Sequence, residues 1–282
     1  MPPEISQNDS MTSHHQIRSG RAMLAVETRG SGDPVVFLHA NVGDRRMWRA
    51  QMDGIGAGNM AIAYDRRGFG DTHTEPEDYS AIGDLMAVLA ATAQGKPAIL
   101  VGCSQGGRIA IDTALRHPAA VRGLVLISPT VTGAPEPVLP PAVKDLLAEQ
   151  KAAEAAGDLE RVIAIKAQLW LDGPLQPAGR VTGAARQLFL AMNATALRSP
   201  PLGMDMDAPP GAFQHLGEIA VPALVICGAM DFPHIQERCR AAASLMPNAT
   251  HHGLPDAAHV PSLDRPAEIT ALVSDFIGRC RA

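Results

Sequence analysis

No apolar run in this 282-residue chain approaches the roughly 18 residues of a membrane-spanning helix. The longest, around Ile99–Val101 and Leu124–Ile127, have the length of buried strands. Cysteine is scarce. Cys103, Cys227, Cys239 and Cys280 show no CxxC spacing and no dense framework, which excludes a disulfide scaffold and suits free thiols in a reducing cytoplasm. Positive charge is not in surplus either: 24 Lys and Arg against 29 Asp and Glu leave a net charge of −5. The basic residues are scattered, so the broad basic face of a nucleic-acid-binding protein is missing. The amino terminus, MPPEISQNDSMTSHHQ, lacks the basic-then-apolar layout of a secretion signal. No HExxH and no clustered His/Asp spacing is present, so no metal is expected. These absences point to a cytoplasmic protein that binds neither membrane nor nucleic acid. A homodimer stays open.

What is present is an ordinary globular composition, 46% hydrophobic and 19% charged, with 26 Gly and 23 Pro. Residues 1–15 are polar and without period and read as an unstructured tail. Beyond them, strand-length apolar runs at Pro34–Ala40, Met60–Tyr64, Ala98–Cys103, Leu124–Ser128 and Ala223–Gly228 alternate with helical patterns. Those patterns cover Tyr79–Thr92, Gln105–His117, His234–Met246 and Pro266–Gly278. Near-continuous apolarity implies strands buried on both faces, and strand–helix alternation implies an α/β fold with a mostly parallel sheet. Sites in such folds open at the carboxyl ends of the strands.

One interval breaks the alternation. Residues 131–220 hold no strand pattern but three helical stretches, Ala142–Ala156, Leu159–Leu171 and Ala184–Leu197, between Pro-rich segments at Ala134–Pro141 and Ser199–Gly211. An insertion leaving the carboxyl end of a strand sits over the site. It reads as a helical cap, with 16–130 and 221–282 as the core.

The most specific signal is Gly102-Cys103-Ser104-Gln105-Gly106-Gly107, which follows an apolar strand and opens a helix. A G-x-S-x-G in that context is a nucleophile elbow. The serine sits in a strained turn, and side chains at 102 and 106 would collide with backbone. The helix start aims N–H groups at negative charge developing nearby. Cys103 should point back into the sheet as a small hydrophobe. A serine nucleophile needs a general base, and the base needs an orienting acid. In the chain order Ser, acid, His, Asp231 follows the strand Ala223–Gly228 and His259 lies on the loop before the last helix. His251 and His252 fall in a preceding strand region and His234 begins a helix. Asp256 reads as a turn residue and Asp264 as the cap of the last helix. The oxyanion hole is expected from the N–H groups of Gln105 and Asn41, with His39 anchoring the latter's loop.

At these residues the chain resembles the α/β-hydrolase superfamily, from about Arg21 onward. Leu38-His39-Ala40-Asn41 is similar to its HG-x segment, and Tyr64–Thr72 (YDRRGFGDT) to its D-x-R-G-x-G-x-S/T loop. Gly228–Asp231 and Ala258–Pro266 resemble its acid and histidine segments. Within the superfamily the chain looks most like capped serine esterases, enol-lactonases and carbon–carbon bond hydrolases. Ala40 stands where glycine is usual. The Arg-Gly-Phe-Gly-Asp-Thr wording also resembles epoxide hydrolases, but their nucleophile is aspartate, and Ser104 argues against that chemistry. The resemblance implies a cofactor-free hydrolase acting on a small-molecule acyl substrate through Ser104, His259 and Asp231, with Trp170, Leu188, Phe189 and Met192 of the cap as pocket walls. Carbon–carbon bond cleavage, acyl transfer, and a ligand-binding receptor on the same fold are the alternatives.

Overall fold

In the computed structural model, which describes residues 12–207 and 211–280, one sheet dominates. Its strands are β1 (Thr12–Ser19), β2 (Ala22–Arg29), β3 (Pro34–Leu38), β4 (Met60–Tyr64), β5 (Ala98–Cys103), β6 (Val121–Ile127), β7 (Ala223–Gly228) and β8 (Ala249–Leu254). Their order across the sheet is β1-β2-β4-β3-β5-β6-β7-β8. The β1–β2 hairpin and the β2–β4 pair are antiparallel, and every pairing from β4 to β8 is parallel. The helices are α1 (Arg49–Gly56), α2 (Ala81–Thr92), α3 (Gln105–Arg116), α4 (Pro141–Ala156), α5 (Leu159–Lys166), α6 (Gly183–Ala196), α7 (Ala212–His215), α8 (Pro233–Leu245), α9 (Pro261–Asp264) and α10 (Pro266–Arg279).

Side chains alternate between the two faces of the parallel strands, because the pleat repeats every two residues. Val36, Leu38, Leu100, Leu126 and Val225 pack with Leu85 and Val88 of α2, Ile109 of α3 and Ile235 of α8. Their neighbours Val35, Phe37, Ile99, Val101 and Ile226 pack with Met52 and Ile55 of α1 and Ile269, Val273 and Phe276 of α10. The result is a three-layer α/β/α core. Each such side chain, fully buried, contributes roughly 1.5–3 kcal/mol of transfer free energy.

The five expected strands are β3 to β7, with β6 starting three residues earlier, at Val121. The structure adds β1 and β2, bounds the strand region around His251 and His252 as β8, and adds α1, whose Gly54 and Gly56 obscure a helix in sequence. The unstructured tail expected over 1–15 is corrected for residues 12–15, which belong to β1; residues 1–11 lie outside the described residues. β1 is polar because an edge strand is held by main-chain bonds to β2, from Thr12↔Arg29 to Ser19↔Ala22, and needs no apolar run. Asp264 does not cap α10, whose N-cap is Arg265; its carboxylate instead accepts from Arg180 at 2.8 Å.

Between β6 and β7 no strand occurs among the described residues. Helices α4 to α7 fill the interval, the helical insertion of this fold. The single helix expected over Leu159–Leu171 is α5 continued as a π-helical turn, Ala167–Asp172. Such wide turns recur at functional sites.

Leu100 is central and fully buried in β5, whereas Ile17 is half-buried on the edge strand. In urea unfolding, Leu100→Ala should lose about 2–5 kcal/mol. Ile17→Ala should lose well under half of that. Equal losses would contradict the layering described.

Candidate active site

Ser104 joins β5 to α3 with φ 54° and ψ −115°, a left-handed conformation that a non-glycine residue adopts only under constraint. The constraint is close backbone packing. A Cβ on Gly106 would lie 2.1 Å from the Leu38 carbonyl oxygen, and one on Gly102 would lie 2.4 Å from the Gly106 oxygen. No side chain fits at either place. The turn is also bonded on both sides: Ser104 N–H donates to Ile127 O (2.9 Å), and Thr130 N–H donates to Ser104 O (3.0 Å). Cys103 is fully buried, and burial pushes its thiol pKa up, so it is no thiolate.

The end of β7 and the loop after β8 share backbone. Ala229 N–H donates to Leu254 O (2.8 Å), and Met230 N–H donates to Ala257 O (2.9 Å). A Cβ on Gly228 would meet the Ala257 oxygen at 2.2 Å. This contact brings Asp231 to His259, whose Nδ1 lies 2.8 Å from Asp231 Oδ2. Both side chains are at most 2% exposed. Asp231 Oδ1 accepts from Phe232 N–H at 2.8 Å, so both carboxylate oxygens are occupied. His259 Nε2 is buried without a hydrogen-bond partner among the described residues. The His259 carbonyl lies 3.5 Å from Cys103 Sγ, next to the elbow. Asp256 is exposed, with its carbonyl accepting from Arg180 and Arg265 (3.2 Å each).

Asn41 is exposed and follows β3 in a turn closed by Gly43 N–H to Ala40 O (3.2 Å), which leaves the Asn41 N–H out of the turn bond. Its side-chain oxygen accepts from Arg66 Nη2 at 2.8 Å. Gln105 opens α3, and first-turn N–H groups have no intrahelical acceptor. His39 is wholly buried: Nδ1 lies 2.8 Å from Ala40 O, and Nε2 accepts from Arg66 N–H at 3.0 Å. Burial and the Arg66 charge hold its pKa well below the usual imidazole range. A neutral ring donating from Nδ1 and accepting at Nε2 satisfies both bonds, so His39 staples the Ala40 turn to the Asp65–Thr72 loop.

The four cap residues sit differently from one another. The ring of Trp170, on the π turn, lies 4.6 Å from His259 and 4.6 Å from Phe232. Leu188 is half-buried on α6, while Phe189 and Met192 are buried. Met192 Sδ accepts from Asp44 N–H at 3.4 Å.

Residues that motif reading missed tie the cap to the core. Asn193 donates to Val42 O at 2.9 Å, beside the Asn41 turn. Arg180 donates to Leu171 O, Asp172 O, Asp256 O and the Asp264 carboxylate, joining the π turn to the His259 loop. Buried Asp172 accepts from Arg186 (2.8 Å), Gly179 N–H (2.8 Å) and Val181 N–H (2.9 Å). No local pattern marks these residues, because the insertion carries many other charged side chains, such as Lys144, Glu149 and Glu160.

A family model described as alpha/beta hydrolase matches residues 35–272. The chain belongs to the alpha/beta hydrolase family. It is 38% identical over 109 residues to the AB hydrolase superfamily protein YisY of Bacillus subtilis, a match spanning 37% of this chain and 41% of that protein. A longer match, 26% identical over 255 residues, links 90% of this hydrolase to 98% of the pimeloyl-[acyl-carrier protein] methyl ester esterase of Chromobacterium violaceum. Among solved structures, a thermophilic esterase from Thermogutta terrifontis shares the fold with a TM-score of 0.74 at 21% identity, over 97% of this chain and all of that one.

The lowered His39 pKa has a stability consequence. Below the ordinary value of 6.5 the unfolded chain takes up a proton that folded His39 refuses. Its contribution is therefore complete above that value and is lost as pH falls towards the folded pKa. His39→Asn should lose about 1–3 kcal/mol at neutral pH, because Arg66 N–H is left without its acceptor. Its stability should also fall less steeply than the wild type's between about pH 7 and pH 5 in urea unfolding. Parallel pH curves would show that the imidazole is not held neutral.

Proposed function

We propose that the chain is a serine hydrolase cleaving a small ester, lactone or similarly activated acyl compound through an acyl-enzyme. The observation that carries this reading is the buried His259–Asp231 pair, its Nε2 unpartnered, in a site whose one elbow serine is held at φ 54°. A serine hydroxyl is a weak nucleophile, and a neutral imidazole with a free Nε2 is the base it needs. In the proposed reaction Ser104 Oγ attacks the substrate carbonyl carbon as its proton passes to His259 Nε2. The carbonyl oxygen becomes an oxyanion, which accepts from the N–H groups of Gln105 and Asn41. Collapse expels the alkoxide, which takes the proton from His259 and leaves Ser104 acylated. Water then repeats the sequence, losing its proton to His259, and the acid is released as Ser104 recovers its own. Asp231 fixes the Nδ1–H tautomer and stabilises the imidazolium without itself becoming protonated.

The Chromobacterium relative is named as a methyl ester esterase, which agrees with an ester as substrate. The cap side chains divide by exposure. Half-buried Trp170 and Leu188 are the proposed walls that meet substrate, with Phe189 and Met192 supporting them from behind. Trp170 also closes one side of the His259 ring against water, which strengthens the buried ion pair that forms as the imidazole gains its proton.

On p-nitrophenyl esters, Ser104→Ala and His259→Ala should each lower kcat by about 10⁴–10⁶-fold, and Asp231→Asn by about 10⁴-fold. Wild-type turnover in Ser104→Ala would reject the proposal. Trp170→Ala should reorder preference along a series of acyl chain lengths while Ser104 still reacts with a fluorophosphonate. An unchanged order would remove Trp170 from the pocket wall.

A further inference from the structure

The cap returns to the core through Met204–Asp207. This segment pairs with Tyr79 ahead of α2: Tyr79 N–H donates to Met204 O (2.9 Å) and Met206 N–H to Tyr79 O (2.8 Å). Its two carboxylates then diverge. Asp207 accepts from Ser80 Oγ (2.6 Å) and Ile82 N–H (2.7 Å) and meets Arg116 at 3.3 Å, all away from the elbow. Asp205 instead accepts from the guanidinium of Arg108, a buried residue of α3. A second nitrogen of that guanidinium donates to Asp112 at 3.1 Å. With the Gln105 amide turned so that its oxygen faces the guanidinium, Arg108 also donates to it from Nε (2.7 Å) and Nη2 (3.0 Å).

A guanidinium is a planar fork, so three acceptors in different directions determine its orientation. Asp205 and Asp112 therefore fix Arg108, and Arg108 fixes the Gln105 side chain from two of its nitrogens. Gln105 is the residue whose N–H faces the oxyanion in the reaction above. An oxyanion donor works only when held close to its productive position, within about 0.5 Å and 10–20°. The geometry points to Arg108 and Asp205 as positioning residues: the return limb of the cap holds the oxyanion donor in place through an Asp205–Arg108–Gln105 chain. Neither residue touches the reacting atoms. The cap thereby acts on the chemical step as well as on substrate choice. This inference rests on the acyl-enzyme reading.

The test measures kcat and KM of the full chain on a p-nitrophenyl ester, together with the affinity of an alkyl boronate that forms a tetrahedral adduct on serine. Asp205→Asn, a near-isosteric change at a partly exposed side chain, and Arg108→Gln should each lower kcat by about 10–100-fold, part of what losing an entire oxyanion donor costs. KM should stay within about threefold, and boronate affinity should fall in step with kcat, as expected for an interaction made in the transition state. Gln105→Ala should show a similar loss, and adding Asp205→Asn to it should cost nothing more, because the chain is already cut. Arg116→Gln, which severs the return limb's other link to α3, should leave kcat unchanged. Wild-type kcat in Asp205→Asn, or an undiminished effect of that change in the Gln105→Ala background, would overturn the inference while leaving the acyl-enzyme reading intact. Full activity in Ser104→Ala would instead overturn that reading. If Arg108→Gln fails to fold, Asp205→Asn and the Gln105→Ala pair still decide the matter.

Discussion

The approach of α3 to β3 at Gly106, where a Cβ would fall 2.1 Å from the Leu38 carbonyl, is the contact on which the rest of the site depends. It lets the chain turn from β5 into a helix within one residue and leaves Ser104 in a left-handed conformation. Strain of this kind costs about 1–3 kcal/mol and persists only where the surroundings over-determine it. Here those surroundings are parallel strands buried on both faces. The same approach brings the first turn of α3 against the end of β3, from which the Asn41 turn continues. A parallel contact at the other end of the site, Gly228 against the Ala257 carbonyl, brings the acid and the histidine together. Both joints are made by backbone, with glycine where nothing larger fits.

The cap is held onto this frame by polar bonds at three places. Arg180 reaches the His259 loop, Asn193 and Met192 reach the Asn41 turn, and Asp205 reaches Arg108 behind Gln105. Several of these partners are buried, where an unmade hydrogen bond to a charged group is costly, so the docking geometry is specific. Trp170 completes the arrangement by resting on the His259 ring from a π-helical turn. The cap is thus docked on the core by specific polar bonds beside the His259 loop, the Asn41 turn and the first turn of α3.

How much of this was legible in sequence follows from the kind of force that holds each part. β3 to β7 are buried on both faces and therefore write continuous apolar runs, such as Ala98–Val101. β1 is held by main-chain bonds at an edge, and its TSHHQIRS shows no hydropathy signal. β8 carries His251 and His252 at its middle, so the sequence marks a strand region there but offers no apolar run to set its ends. The elbow was readable because glycine is dictated by backbone contact at fixed offsets from Ser104. Asp231 and His259 were readable because chain order and strand ends select them. The cap staples were not, since an arginine such as Arg180 finds partners 76 and 84 residues away that no local pattern couples to it. Asp264 misled for the opposite reason. Its position just before a helix suggested a cap, and its side chain was taken instead by that long-range partner.

The central claim, that Ser104 becomes acylated in a reaction assisted by His259 and Asp231, is tested most directly by intact-protein mass spectrometry of a reaction with a short activated ester, acid-quenched on the millisecond scale. The account predicts one acyl group added per chain, located by peptide mapping on Ser104, and absent from Ser104→Ala. In His259→Ala the adduct should form far more slowly than in the wild type. Acylation at another residue, or product release at wild-type rate from Ser104→Ala, would contradict it.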